Sequence, residues 1–155
     1  MGQSQASQRV QEYLNQFELD LEVKEFPAST RTAQDAANAI GCTVGQIVKS
    51  LIFRSDDKPL LFLVSGENRL DVRKVKSDLG IKIEKADAQF VRDKSGYAIG
   101  GVPPVAHTEK MEVFIDRDLL GFQEIWAAAG TPHAVFRLRS EDLQRITGGR
   151  VIDVK

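Results

Sequence analysis

The chain of 155 residues is poor in side chains that bind soft metals or form cross-links. Its single cysteine, Cys42, excludes a disulfide within the chain, and the two histidines, His107 and His133, do not have the spacing of a zinc site. The sequence therefore predicts that there is no metal site and no other cofactor. It also predicts a reducing, cytoplasmic environment.

Long apolar runs are missing as well. No stretch approaches the roughly 20 apolar residues that a transmembrane helix needs, and the first residues lack the apolar core of a signal peptide. With 42% hydrophobic and 28% charged residues, the composition predicts a single globular domain over residues 1–155 that has no membrane contact. The oligomeric state is left open by the sequence, with a monomer favoured.

The chain also lacks a strong excess of charge of one sign. A net charge of −1 argues against a generic, strongly basic nucleic-acid binder whose affinity comes from neutralising many phosphates. Residues 69–94 nevertheless carry eight basic and five acidic groups. This stretch is either a solvated helix face or a local phosphate contact, and the pattern alone does not choose between the two.

The order of elements follows from apolar spacing and from turn residues. It predicts a helix over residues 5–18 of an N-terminal helical segment (1–20), a strand over 21–26, a helix from Thr32 to Gly41 and a hairpin of strands 47–54 and 60–65. The remaining predicted elements are helices at 71–80, 87–94 and from 140, and strands at 81–84, 111–115, 124–128, 134–138 and 151–154. Strands that alternate irregularly with short helices predict the α/β class, in its mixed α+β form.

Lys49 lies inside an apolar run that reads as a buried strand. On a period of two, its side chain shares a face with Ile47, Leu51 and Phe53. Because an unpaired ammonium is costly to bury, one interpretation is that Lys49 meets an anion or lines a wet pocket. The other is that its stem extends along neighbouring side chains and its ammonium reaches solvent.

Two loops carry further signals. Between Gly96 and Pro104, paired glycines allow a close backbone approach and turn N–H groups towards a ligand oxygen, although the same residues often form only a tight turn. This loop is not a phosphate-binding loop, because no Gly-Lys-Ser/Thr segment follows it. It also lacks the Gly-x-Gly-x-x-Gly spacing of a dinucleotide-binding motif. In the second loop, 130–133, His133 is a candidate proton carrier, a substrate contact or an exposed residue. The role of His107 is equally open, and fewer polar residues lie close to it in the sequence.

Several motifs in a fixed order resemble the YbaK/EbsC family of free-standing aminoacyl-tRNA deacylases, which are related to the editing domain inserted in bacterial prolyl-tRNA synthetases. The resemblance covers about residues 20–154. It rests on the segments 32–37, 46–53, 96–104, 115–116, 129–130 and 142–143. It implies a curved or barrel-like mixed sheet flanked by short helices. It also implies hydrolysis of the ester in mischarged tRNA, with the aminoacyl-tRNA 3′ end as partner and an aminoacyl-tRNA synthetase as a possible second partner.

The same resemblance implies roles for individual residues. Lys49 matches the family's active-site lysine, while Gly100, Gly101 and Pro104 match a loop whose amides would hold the aminoacyl carbonyl. Gly130 resembles a glycine of the aminoacyl pocket, and the neighbouring loop would shape that pocket. The substrate-binding candidates are Thr32, Ser50, Ser65, Pro104, Gly130, Thr131 and His133.

The chemistry expected from these residues is attack by water, since no nucleophile triad is evident and neither serine is a convincing substitute. A substrate of the tRNA(Pro) type that carries a small or hydroxylated amino acid is expected. A non-catalytic module that binds a tRNA end or an aminoacyl ligand is the alternative, and a purely structural partner of a synthetase is a third possibility. The sequence does not identify the amino acid.

Overall fold

The computed structural model describes residues 4–155, so residues 1–3 of the predicted N-terminal segment lie outside the described part. The helices in this part are α1 (Gln5–Leu14), α2 (Ala33–Ile40), α3 (Val72–Leu79), α4 (Ala88–Ser95) and α5 (Ser140–Thr147). The strands are β1 (Val23–Glu25), β2 (Ile47–Ser55), β3 (Lys58–Ser65), β4 (Glu84–Lys85), β5 (Glu112–Asp116), β6 (Glu124–Ala128), β7 (Ala134–Arg139) and β8 (Arg150–Ile152).

The strands form one mixed sheet in the order β1-β7-β6-β2-β3-β5-β8, and β4 pairs with part of β2. The β2–β3 hairpin and the β6–β7 pair are antiparallel, whereas β2–β6, β3–β5 and β5–β8 are parallel. β1 and β8 end this path, so the sheet is not closed into a barrel. The predicted α/β class, of the mixed α+β type, is confirmed.

Apolar side chains cover both faces of β3, which explains its continuous apolar sequence. Leu61 and Leu63 belong to the larger core, which also contains residues of α1, α4 and α5. Phe62 belongs to a second core on the opposite face, where its ring stacks on Phe114 at 4.9 Å and meets Phe53 edge-on at 5.6 Å. Because both faces are packed, the hairpin is a fixed support for residues at its ends.

Helix α2 shows how local sequence places an element beside the sheet. Thr32 is its N-cap, since the Thr32 hydroxyl accepts a hydrogen bond from the Asp35 N–H at 3.0 Å. Gly41 ends it with a φ of 85°, a conformation that favours glycine. Two small buried residues, Ala36 and Ala37, pack against Ile47 of β2. The helix boundaries predicted from the sequence are confirmed.

Some predicted boundaries are wrong. α1 ends at Leu14, not at residue 18, although Phe17 still packs against the core beyond the helix end. The strand predicted at 81–84 occurs at Glu84–Lys85, because only these residues pair with the open edge of β2. In both regions the apolar spacing correctly indicates burial, but hydrogen bonding sets where the element ends.

One interruption in the sheet positions the candidate site. The parallel ladder between β2 and β6 includes only Ile47 and Val48 of β2. Further along the same edge, β4 pairs only with Phe53 and Arg54. Within residues 4–155, the segment 49–52 therefore has no strand partner on this side. Lys49, Ser50 and Leu51 border an open space, whereas Ile52 packs in the larger core.

Candidate functional site

A cavity of about 340 Å³ lies where β2 separates from β6. Its walls come from these two strands, from the start of α2 and from the loop that carries Gly100. Four of the residues singled out in the sequence line it: Thr32, Lys49, Ser50 and Gly100. Apolar side chains form most of the remaining wall, including Val48, Val102, Trp126 and Val135.

Within the described chain, Lys49 is one of two basic residues, with Arg31, in the lining of this cavity. Its side chain is half-buried, and its Nζ donates a hydrogen bond to the backbone carbonyl of Asn68. Burial lowers the pKa of Lys49 from its usual value, and the nearby Arg69 lowers it further, while Asp116 acts in the opposite direction. The ammonium is thus paired without being covered, which suits a cation that meets an anionic or carbonyl oxygen.

The neighbouring glycines Gly100 and Gly101 have different roles. Gly100 lines the cavity with a φ of 94°, and its N–H has no hydrogen-bond acceptor among residues 4–155. By contrast, the N–H of Gly101 donates to Ala98 O at 3.0 Å, and a Cβ added to Gly101 would lie 2.8 Å from Thr131 Cα. Gly100 can therefore offer a donor to a ligand, whereas Gly101 allows close packing of two loops.

The 130–133 loop supports the cavity from outside. Gly130 donates through its N–H to Gly101 O at 2.9 Å, and a Cβ on Gly130 would lie 2.8 Å from the backbone oxygen of Ala6 in α1. Thr131 is half-buried beside Gly101. Neither Gly130 nor Thr131 lines the cavity in this structure.

His133 is exposed and also lies outside the cavity lining. Its Nδ1 is 3.2 Å from Ala28 O, and the carbonyl of the preceding Pro132 accepts hydrogen bonds from the N–H and hydroxyl of Thr30 at 2.6 and 3.0 Å. Thr30 itself lines the cavity. These hydrogen bonds therefore connect the 130–133 loop to the cavity wall through the loop that precedes α2.

The two candidate serines differ sharply. Ser65 is fully buried, lies outside the cavity lining, and donates through its hydroxyl to Gly45 O at 2.7 Å. Ser50 contributes to the lining, and its hydroxyl is buried without a hydrogen-bond partner in the described residues. An unsatisfied buried hydroxyl costs about 1–3 kcal/mol, so Ser50 is the serine with unused hydrogen-bonding capacity.

Pro104 and His107 stabilise the exit of the glycine loop. Pro104 is buried and does not line the cavity. The Nε2 of His107 is 2.7 Å from Pro103 O, and burial lowers the pKa of this imidazole despite the opposing effect of that hydrogen bond. A neutral, hydrogen-bonded His107 therefore holds the loop in place and lies outside the cavity lining.

Comparison with known proteins assigns this arrangement to a family. Residues 27–146, more than half of the chain, match the family described as the aminoacyl-tRNA editing domain. The chain belongs to this family. The matched range includes all four predicted residues that line the cavity, so the resemblance inferred from the motifs is confirmed.

Similarity to individual proteins supports the assignment of this editing domain to the family. It is 31% identical over 147 residues to the uncharacterized protein YwhH of Bacillus subtilis (strain 168), covering 94% of each chain. It is 28% identical over 97 residues to the proline–tRNA ligase of Thermoanaerobacter sp. (strain X514), which covers 61% of this chain but only 17% of the ligase. A crystal structure described provisionally as a trans-editing enzyme for prolyl tRNA synthetase is 48% identical, with a TM-score of 0.93 and 99% of each chain covered.

The lining residues of this editing domain that sequence reasoning missed include Arg31, Ile99 and Trp126. Arg31 lies over Gly100, where its Cγ would be 2.5 Å from an added Cβ. Ile99 is an exposed apolar residue at the rim, and Trp126 contributes a half-buried ring from β6. An arginine in a polar loop and a tryptophan in a short strand carry no local signal, because only the β2–β6 pairing brings them together.

Two kinds of chemistry receive no support from the described residues. Between residues 4 and 155 there is no group of three or more His, Cys, Asp and Glu side chains arranged to hold a metal ion. Burial raises the pKa of Cys42, which disfavours the reactive thiolate. Across the same residues, no helix is long and apolar enough to span a membrane.

The contrast between the two serines predicts opposite effects on stability. Ser65→Ala should lower the free energy of unfolding by about 1–3 kcal/mol, because Gly45 O loses its donor in a buried setting. Ser50→Ala should leave stability unchanged or raise it, since the hydroxyl removed has no partner. Urea denaturation of both variants measures this difference. Equal destabilisation by the two changes would mean that the Ser50 hydroxyl is bonded in the folded protein.

Loop packing at Gly101 can be tested in the same way. Gly101→Ala places a methyl group against the Thr131 backbone and should cost about 1–3 kcal/mol through overpacking. Gly121→Ala is the matched control, because its Cβ would meet nothing within 4 Å, and little change is expected. Thermal denaturation compares the variants. A Gly101→Ala protein as stable as the control would show that the two loops are not held in contact.

Proposed function

We propose that this editing domain hydrolyses the ester between a wrong amino acid and the 3′ end of tRNA, acting as a free-standing trans-editing deacylase. The observation that carries the proposal is that Lys49 and Gly100 line one cavity of about 340 Å³. An aminoacyl ester is already labile. A catalyst therefore needs mainly to position the ester and water and to stabilise an oxyanion.

In the proposed reaction, water adds to the aminoacyl carbonyl carbon and forms a tetrahedral oxyanion. The Gly100 N–H is the donor available to that oxygen, because the Gly101 N–H is already bonded to Ala98 O. Collapse of the intermediate breaks the bond to the ribose oxygen, which takes up the proton that the attacking water gives up, and the amino acid and tRNA leave. Gly101 and Pro104 contribute by fixing the loop that presents Gly100.

Lys49 is proposed to act as a positioning cation. Its ammonium would contact the terminal adenosine or its phosphate and hold the ester in the cavity. Burial lowers the pKa of the free Lys49 side chain, but a bound phosphate would favour the charged form again. Protonated Lys49 is not a nucleophile, so this role differs from Schiff-base chemistry.

The cavity supports water as the nucleophile. Its lining includes Ser50, but no carboxylate or imidazole that could act as a general base towards it lines the cavity within residues 4–155. Ser65 is committed to Gly45 O and lies elsewhere. A substrate-assisted route, in which substrate hydroxyls help to orient water, therefore fits better than a covalent acyl-enzyme.

The proposed substrate is a tRNA(Pro)-type molecule that carries a small or hydroxylated amino acid. Mostly apolar walls and the limited volume favour a small side chain, and Thr32 and Ser50 add polar groups. Similarity to proline–tRNA ligases supports the choice of tRNA and a functional link to that synthetase. Thr131 and His133 would influence the fit through the loop containing Thr30, because they do not line the cavity themselves.

A second candidate function is a module that binds a tRNA end or an aminoacyl ligand without hydrolysis. The lack of an acid or base among the lining residues of the described chain favours it. Binding of aminoacyl-tRNA with no ester cleavage would support this alternative. A purely structural partner of a synthetase would show neither binding nor cleavage as an isolated protein.

Deacylation of a panel of mischarged tRNAs tests the proposal. The wild type should release small amino acids from tRNA(Pro), and Lys49→Ala should slow this release by about 10²-fold, the size of the loss expected when the reacting ester is misplaced. Lys110→Ala is a control for an exposed lysine outside the cavity lining and should remain within about twofold of wild type. No turnover on any substrate, or an unaffected Lys49→Ala variant, would contradict the deacylase assignment.

A further inference from the structure

The carbonyl that receives the Lys49 ammonium belongs to a tightly held turn. Asn68 follows β3, is only 6% exposed, and donates through its N–H to Ser65 O at 2.9 Å. Its side-chain Nδ2 donates to Asp116 Oδ2 and to Asp118 Oδ2, both at 2.8 Å. With both donor hydrogens of its amide engaged, Asn68 can hold its backbone carbonyl in one orientation towards Lys49.

Asp116 anchors this turn from the end of β5. Its carboxylate is 1% exposed and accepts three hydrogen bonds, from Ser65 N at 3.0 Å, from Asn68 Nδ2 at 2.8 Å and from Asp118 N at 2.9 Å. A buried carboxylate is costly, and these donors offset the cost. A negative charge is thereby kept close to the turn that bonds Lys49.

Charged neighbours act on the Lys49 ammonium in opposite directions. Asp116 favours the charged form of Lys49, and Arg69, from the loop after β3, opposes it. Arg31 lines the same cavity from the loop before α2. Because Lys49 is partly buried and Arg69 opposes its charged form, the ammonium depends on the Asn68 carbonyl and on the negative charge of Asp116.

We propose that Asn68 and Asp116 are positioning residues that hold the Lys49 ammonium in place for the substrate. This inference rests on the proposed deacylase function, because it assigns the support of that site. Asn68 supplies the directed carbonyl acceptor, and Asp116 fixes Asn68 and supplies negative charge. Both act through Lys49 and neither lines the cavity.

Asn68→Ala is the direct test, because it keeps the backbone carbonyl and removes the side-chain hydrogen bonds that orient it. Displacement of Lys49 should lower kcat for a mischarged tRNA by about 10–100-fold, with a smaller change in KM. Lys110→Ala is the control, because Lys110 is exposed and lies outside both the cavity lining and the Asn68–Asp116 hydrogen-bond network. The control should stay within about twofold of wild type.

A second readout does not depend on turnover. NMR titration of labelled lysine side chains in the free protein should give a lower pKa for Lys49 in Asn68→Ala than in wild type, and no change in Lys110→Ala. Asp116→Asn, where it folds, should also lower that pKa because the negative charge is lost. A purely structural turn would change the melting temperature and leave the Lys49 pKa in place.

The outcomes separate the two proposals. An inactive wild type would overturn the deacylase function, while the Lys49 pKa would still report on the positioning network. An active wild type with an unchanged kcat and an unchanged Lys49 pKa in folded Asn68→Ala would overturn the positioning role. A reduced kcat together with a lowered Lys49 pKa supports it.

Discussion

The hydrogen bond from the Lys49 ammonium to the Asn68 carbonyl is the interaction on which the candidate site depends. A half-buried cation at this point of β2 would be costly without an acceptor and a nearby negative charge. The sheet supplies both, since β3 leads into the turn of Asn68 and β5 ends at Asp116. Because β3 and β5 are neighbouring parallel strands, their carboxyl ends bring these residues together.

Close backbone packing is the second requirement. Gly101 lies against the Thr131 backbone, and Gly130 lies against the backbone of Ala6. These contacts order the loop so that Gly100, whose N–H has no acceptor in the described chain, borders the cavity. The glycines therefore have different tasks, in which Gly100 is available to a ligand while Gly101 and Gly130 allow loops and a helix to meet.

Local sequence predicted much of the fold. Thr32 and Gly41 correctly bounded α2, the hairpin of β2 and β3 was correct, and the motif order correctly indicated the editing-domain family. The cavity was less accessible to such reasoning, because parallel pairing between strands distant in sequence has no local signature. Asn68 consequently escaped notice, whereas the exposure of His133 was among the alternatives that the sequence left open, and the structure selects it.

A crystal structure with an aminoacyl-adenosine analogue, in which an amide replaces the labile ester, tests the central claim most directly. The account predicts that the analogue occupies the cavity with its carbonyl oxygen within hydrogen-bond distance of the Gly100 N–H. It also predicts that Lys49 contacts the adenosine moiety or, in a longer analogue, its phosphate, while remaining close to Asn68. An analogue bound outside this cavity, or bound with its carbonyl away from Gly100 and with Lys49 unengaged, would contradict the account.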